Sequence, residues 1–247
     1  MTMSRLADET FRPAPSGGLP LCVDLDGTLL HIDTLQESTF AAAFADWRVL
    51  FRLPGWLAEG KAKLKAELAK RWRFDPATLP YNADLLQYIR AQHEAGRHLV
   101  LCTAADRSIA ERVAEYLDLF DEVIASDGQT NLRGGLKAEA LRRRFGEGGF
   151  VYAGNDASDF PIWDSASEAV VVNARRSVLR AARSRYHIAA TFRRSGFVYP
   201  RSGARHTAVP VGQESAVLRP VDRGRRLQRP RMAQRAGHRG GVLLCRS

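Results

Sequence analysis

Cysteine is scarce: Cys22, Cys102 and Cys245 are the only three in 247 residues, too few and too scattered for a disulfide framework or a zinc site. Cys22 and Cys102 fall in stretches that read as buried strands, where a thiol acts as a small apolar side chain, and free buried thiols fit a reducing cytoplasm. Long apolar runs are missing as well. Nothing reaches the roughly 18 residues a membrane helix needs, and residues 1 to 19, with Pro13, Pro15, Gly17 and Gly18, hold no stretch long enough for a signal peptide. These first 19 residues read as a flexible N-terminus. Acids are scarce in one part: from 201 onward the chain carries 11 Arg, no Lys and only two acids, Glu214 and Asp222. That leaves 26 basic and 25 acidic residues in 1 to 200, so the formal charge of +10 belongs almost wholly to the last stretch. The nearly neutral remainder gives nucleic-acid binding no compositional support, because a phosphate backbone is held by clustered Lys and Arg.

The stretch 201–247 also lacks Phe, Trp, Tyr, Ile and Asn and shows no periodic apolar pattern. Two readings stand for it: a translation in the wrong reading frame, or a disordered basic tail able to touch RNA or anionic lipid. What remains, 45% apolar and 26% charged over the whole chain, is ordinary for a globular protein with one main domain. That domain is read over 20 to 190.

Its most informative stretch is Leu21 to Leu30, LCVDLDGTLL. Leu21 to Val23 suit a buried parallel strand, and Gly27 lets the backbone turn where the strand ends. Asp24 and Asp26 then project from the strand's carboxyl end. A close pair of acids repels itself unless a proton or cation neutralises it, so the pair predicts a bound divalent metal, Mg²⁺. Residues 31 to 80 interrupt the pattern and read as a helical insertion. Phe40, Phe44, Trp47 and Phe51 fall at i, i+4, i+7 and i+11, one face of a helix. That stripe either packs on the domain or forms a surface for a lipid-like substrate or the inner face of a membrane, because Leu53, Trp56 and Leu57 follow it. The basic run after it, from Lys61 through Lys65 to Arg73, reads as a solvated helix face.

From Asn82 the chain alternates regularly. Helices are expected over Asn82 to Ala95, Arg107 to Leu117, Leu136 to Phe145, Ser158 to Ala166 and, last, Arg175 to Arg185. Strands are expected over His98 to Thr103, Glu122 to Ala125, Phe150 to Gly154 and Ala169 to Asn173. This predicts an α/β fold, a doubly wound parallel sheet with a small helical cap insertion after the first strand. Ligands in such sheets sit beyond the carboxyl ends of the strands. Thr103 is placed at one such end, where its hydroxyl and the N–H of Ala104 can bind phosphate oxygens. Lys137 begins a helix after a Gly-rich turn, where a positive charge opposes the helix dipole, so something else there wants the charge. Gly154 sets Asn155, Asp156 and Asp159 at the same end of the sheet.

Taken together, Asp-x-Asp-Gly-Thr, then Thr103, Lys137 and GNDASD resemble the four motifs of the haloacid dehalogenase-like superfamily, most of whose members are phosphohydrolases. The resemblance covers about residues 20 to 185. It implies Asp24 as nucleophile and Asp26 as general acid and base, with Thr103, Ala104 and Lys137 on the phosphoryl group. Asp24, Asp26, Asn155 and Asp159 would hold Mg²⁺. Many members carry Asp where Asn155 stands, a lost charge that weakens the metal site unless Asp156 substitutes. The implied partner is a small phosphorylated substrate, and no feature points to a protein partner. A phospho-accepting receiver-type module also sets Asp, Thr and Lys at strand ends, but it lacks Asp-x-Asp-Gly-Thr and an insertion of about 50 residues. The stretches LPYNADLLQYIRAQHEAGR, DEVIASDGQTNLRG and YAGNDASDFPIWDSA further resemble the region preceding UbiA-type prenyltransferase domains in some bacterial proteins. That resemblance makes a prenyl-linked sugar phosphate a candidate substrate.

Overall fold

A computed structural model of the chain describes residues 18–193 and the pair 197–198; the N-terminal stretch up to 17, read from the sequence as flexible, and the Arg-rich stretch from 201 lie outside the described residues. The sheet is built on β1 (Leu21–Val23), whose three side chains are fully buried, as an apolar run covered on both faces must be. On one side of it lie β3 (Leu99–Asp106) and β4 (Glu122–Ser126), on the other β5 (Val151–Gly154), β6 (Glu168–Val172) and β7 (Ile188–Phe192). All pair in parallel, in the order β4-β3-β1-β5-β6-β7. The chain leaves β1 toward β3 and later returns to β5 on the opposite side, so strand order reverses at β1 and a crevice opens at its carboxyl end.

Helices α4 (Ala83–Glu94) and α5 (Arg107–Leu117) cover one face, burying Leu85, Ile89, Ile109 and Val113 against Leu21 and Val23. On the other face α6 (Gly135–Phe145), the single turn α7 (Phe160–Trp163) and α8 (Arg176–Arg185) bury Leu141, Trp163 and Val178 against Cys22, Cys102 and Tyr152. Both thiols are held protonated by burial, Cys102 with its pKa pushed up to about 12. This is the expected doubly wound α/β fold, with three differences. The strand β7 continues the sheet past α8, the last helix in the sequence reading, which placed no strand after it; its five residues split their apolar members over both faces of an edge strand and give little periodic signal. The helix expected over Ser158 to Ala166 is a 3-10 turn (Ala157–Asp159) followed by α7 alone. Finally, β3 runs three residues beyond Thr103, so Thr103 lies inside the strand and not at its end.

Between β1 and the short β2 (Tyr81–Asn82) stands the insertion: α1 (Thr34–Ala45), a 3-10 turn (Trp47–Phe51), α2 (Leu53–Ala58) and α3 (Lys61–Ala69). Asp33 starts α1 by accepting from the N–H groups of Leu35 and Gln36. Asp46 ends α1 and caps the next turn through the N–H of Arg48, so the aromatic stripe is divided between two elements. Nor does it pack on the domain: Phe40, Phe44, Trp47 and Phe51 are 59, 90, 61 and 75% exposed. The interior of the insertion is filled from the other side, by Ala42, Val49 and Leu68 with Leu35, Leu53, Trp56 and Leu64. Among the described residues no helix is long and apolar enough to cross a membrane.

Candidate active site

Asp24 stands directly after β1, its N–H donating to the carbonyl of Ala153 at 3.0 Å, which ties it to β5. The chain then turns through Gly27, at φ 71°. A β-carbon there would lie 2.2 Å from Nδ2 of Asn155, so only glycine permits both the turn and the approach of the loop after β5. Asp26 is turned toward the insertion. Its Oδ1 accepts from the N–H of Thr34 at 2.9 Å and its Oδ2 from the Thr34 hydroxyl at 3.2 Å. Burial pushes the Asp26 pKa up to about 7; the Thr34 N–H offsets part of this and the charge of Asp24 adds to it.

Lys137 lies in the first turn of α6, and its place against the helix dipole has a structural reason. The side chain is almost fully buried and its Nζ donates to Oδ1 of Asp24 at 2.7 Å and to the Tyr152 hydroxyl at 2.9 Å. Burial by itself would lower the lysine pKa, but Asp24 and, less strongly, Cys102 and Asp159 hold it above the ordinary value, so the ammonium stays charged. Tyr152 in turn donates to Oδ1 of Asp159 at 3.2 Å. The other oxygen of Asp159 accepts from the N–H groups of Asn155 and Asp156, at 2.9 and 3.0 Å. A β-carbon on Gly154 would come within 2.6 Å of that oxygen. Burial and then the Asp24 charge raise the Asp159 pKa, while Lys137 pulls it back.

Thr103 is fully buried, and its Oγ1 accepts from the N–H of Ala105 at 3.0 Å, leaving the hydroxyl proton free to be donated. The pairing of β3 with β4 shifts register between Cys102 and Asp106. Within that irregular stretch the carbonyl of Ala104 accepts from the Ser126 hydroxyl at 2.9 Å and from Nζ of Lys65 at 2.5 Å. Lys65 also donates to Oδ1 of Asn131 at 2.8 Å. It is therefore not part of a solvated face: it reaches from α3 across to the core, where burial lowers its pKa and Asp26 and Asp33 oppose that. A small cavity lies between Lys65, the first turn of α1 and the end of β3.

Three participants escaped the sequence reading. Thr34 could have been found, since Asp33 and Thr34 form a helix start close behind Asp26. Tyr152 carries a weaker signal, a hydroxyl inside an otherwise apolar buried strand. Nothing in KAKLKAELAK singles out Lys65 from its neighbours.

No three His, Cys, Asp or Glu side chains among the described residues converge closely enough to hold a metal ion by themselves. Two oxygens at the site nevertheless accept no hydrogen bond among the described residues, Oδ2 of Asp24 and Oδ1 of Asn155. Asp26 and Asp159 have both carboxylate oxygens engaged. Hard oxygen donors beside buried acids of raised pKa fit a dication that keeps several of its own waters, as Mg²⁺ does.

Residues 21–164 match the profile of the haloacid dehalogenase-like hydrolase family. The chain belongs to that family. A curated relative, the "Uncharacterized protein y4nM" of Sinorhizobium fredii (strain NBRC 101917 / NGR234), is 44% identical over 155 residues, which are 62% of this chain and 30% of that one. The chain thus spans less than a third of that relative's length. Among solved structures, a protein of unknown function from Bordetella pertussis Tohama I superposes with a TM-score of 0.52 at 15% identity, over 69% of this chain and 98% of that one. A HAD family hydrolase, t0658, from Salmonella enterica serovar Typhi gives 0.48 at 15% identity, over 68 and 66%. At such identity the Bordetella structure shows the fold alone.

Proposed function

We propose that this hydrolase is a Mg²⁺-dependent phosphomonoesterase working through an aspartyl-phosphate on Asp24. One observation carries the reading. Asp24 ends the central strand with one carboxylate oxygen gripped by a charged, buried lysine and the other free, beside an acid whose pKa of about 7 lets it hold or give up a proton.

Oδ2 of Asp24 attacks phosphorus, and the ester oxygen departs with the proton of Asp26. Asp26, now ionised, takes a proton from the water that hydrolyses the aspartyl-phosphate, returning both groups to their starting states. Lys137 fixes the rotamer of Asp24 and neutralises charge on the transferring group, and the Thr103 hydroxyl with the Ala104 N–H anchors its oxygens. Mg²⁺ would be held by Asp24 and Asn155, with Asp159 behind them, and when bound it supplies further charge neutralisation for the phosphoryl oxygens. A dehalogenase has no use for the second acid, so Asp26 favours a phosphate ester.

The test is a panel of phosphate esters, sugar phosphates and a prenyl-linked sugar phosphate among them, given to the full chain with Mg²⁺. Asp24→Asn is expected to lose activity by more than about a hundredfold with its circular dichroism spectrum intact. A variant that keeps more than a hundredth of the rate removes Asp24 from the role.

A further inference from the structure

The insertion presents a ridge of apolar side chains that its own interior does not use. Phe44 is 90% exposed, Phe51 75%, Trp47 61% and Phe40 59%, with Leu50 and Leu57 about half exposed beside them. At the 150–250 Å² that an aromatic side chain carries, the four rings alone turn on the order of 500 Å² of apolar surface to solvent, at the upper end for a patch without a partner. The rings of Trp47 and Phe51 meet edge to face with centroids 5.5 Å apart.

Its charges narrow the choice of occupant. Arg48 lies in the same 3-10 turn as Trp47 and Phe51 and Arg52 directly after it; both are exposed, and neither takes part in an ion pair among the described residues. The acids near the ridge are Glu37 in the first turn of α1, Asp46, which accepts from the backbone N–H of Arg48, and Glu59, 4.0 Å from the ammonium of Lys63; with Lys61 and Lys63 following, bases outnumber acids over 37–63. A second copy of the chain, meeting this ridge about a twofold axis, would bring the arginines of both copies together in a desolvated contact. An apolar groove on another protein would leave them without counter-charges. A lipid surface with anionic headgroups takes both parts at once, the rings among the acyl chains and the guanidinium groups at the phosphate level, with Trp47 suited to the boundary.

We propose that the ridge Phe40, Phe44, Trp47 and Phe51 with Arg48 and Arg52 docks the protein on an anionic lipid surface. The helix α1 joins this surface to the site, since Thr34 in its first turn holds Asp26 and Phe44 stands in its last. Docking does not depend on the phosphatase reading.

The test uses the full chain and vesicles of phosphatidylglycerol with phosphatidylcholine, against vesicles of phosphatidylcholine alone. Because the Arg-rich stretch from 201 can itself bind anionic vesicles, the decisive comparison is between wild type and Phe44→Ser/Trp47→Ser/Phe51→Ser, which share that stretch. The triple variant is expected to bind at least about tenfold more weakly, and Arg48→Glu/Arg52→Glu to lose the preference for anionic lipid. Brominated acyl chains should quench tryptophan emission in wild type and much less in Trp47→Phe. Equal binding of wild type and triple variant, or quenching unaffected by Trp47→Phe, would overturn the proposal. So would a dimer in sedimentation velocity that the triple variant abolishes, since the ridge would then be covered by a second copy. The substituted residues are exposed, so unchanged circular dichroism melts are expected of every variant.

Discussion

Replacing Lys137 by Met keeps the aliphatic stem and removes the ammonium that lies 2.7 Å from Asp24, in a pair whose side chains are 4 and 11% exposed. What remains is Asp24 beside Asp26 and Asp159, with the Tyr152 hydroxyl no longer receiving a hydrogen bond from the lysine. Deleting one partner of a buried ion pair leaves the other desolvated without compensation, which costs about 3–5 kcal/mol. In a chain of this size each kcal/mol moves the melting midpoint by roughly 2–4 °C, so Lys137→Met should melt about 6–20 °C below wild type. The measurement is a thermal melt followed by circular dichroism at pH 7.5 in a chelator. Added Mg²⁺ should narrow the gap by supplying positive charge to the same carboxylates, and so should a lower pH, which protonates them. A deficit below about 3 °C in the chelator would refute the premise that this ammonium compensates Asp24.

Two further outcomes follow from the same electrostatics. Metal-free wild type should lose stability, on the order of a few kcal/mol, as pH rises from about 5 to 8: below 7 the folded chain holds a proton on Asp26 that the unfolded chain has already released near the usual carboxylate value, and saturating Mg²⁺ should flatten the slope; stability that rises with pH in the chelator contradicts it. Lys65→Met should speed amide exchange in α3 by about tenfold, the loss of roughly 1–2 kcal/mol of bonds to Ala104 and Asn131, and unchanged protection would mean that this bridge holds nothing down.

The parts legible in the sequence are those fixed by local pattern. A strand apolar on both faces can only be central, and β1 is. A lysine set against a helix dipole has its charge wanted by something else, and in the structure Lys137 meets Asp24. What escaped depends on partners far along the chain. Lys65 looks like any solvated lysine until α3 is laid across the core, and it then finds a carbonyl 39 residues away. The aromatic stripe has the right spacing for a packed face, yet the face opposite it supplies the interior, because Asp46 breaks the helix and redirects the chain. Thr103 was misplaced by three residues because the strand continues, bulged, to Asp106.

The insertion is rooted through a narrow waist. Leu30 bridges to Tyr81, the N–H of His31 reaches the carbonyl of Pro80, and that of Asn82 reaches Leu29, so the two chain crossings are stitched to each other through the backbone. Side chains add to this root: Leu29, Leu30, Leu79 and Tyr81 are buried in the main core, and Thr34 lends its hydroxyl to Asp26. Such a junction behaves as a cassette boundary. What the segment lends the core bounds any exchange: a graft must return a helix that begins with Thr34, a residue that does for Ala104 what Lys65 does, and apolar side chains in place of Ala69, Trp72 and Phe74, which pack into the main cluster under the sheet.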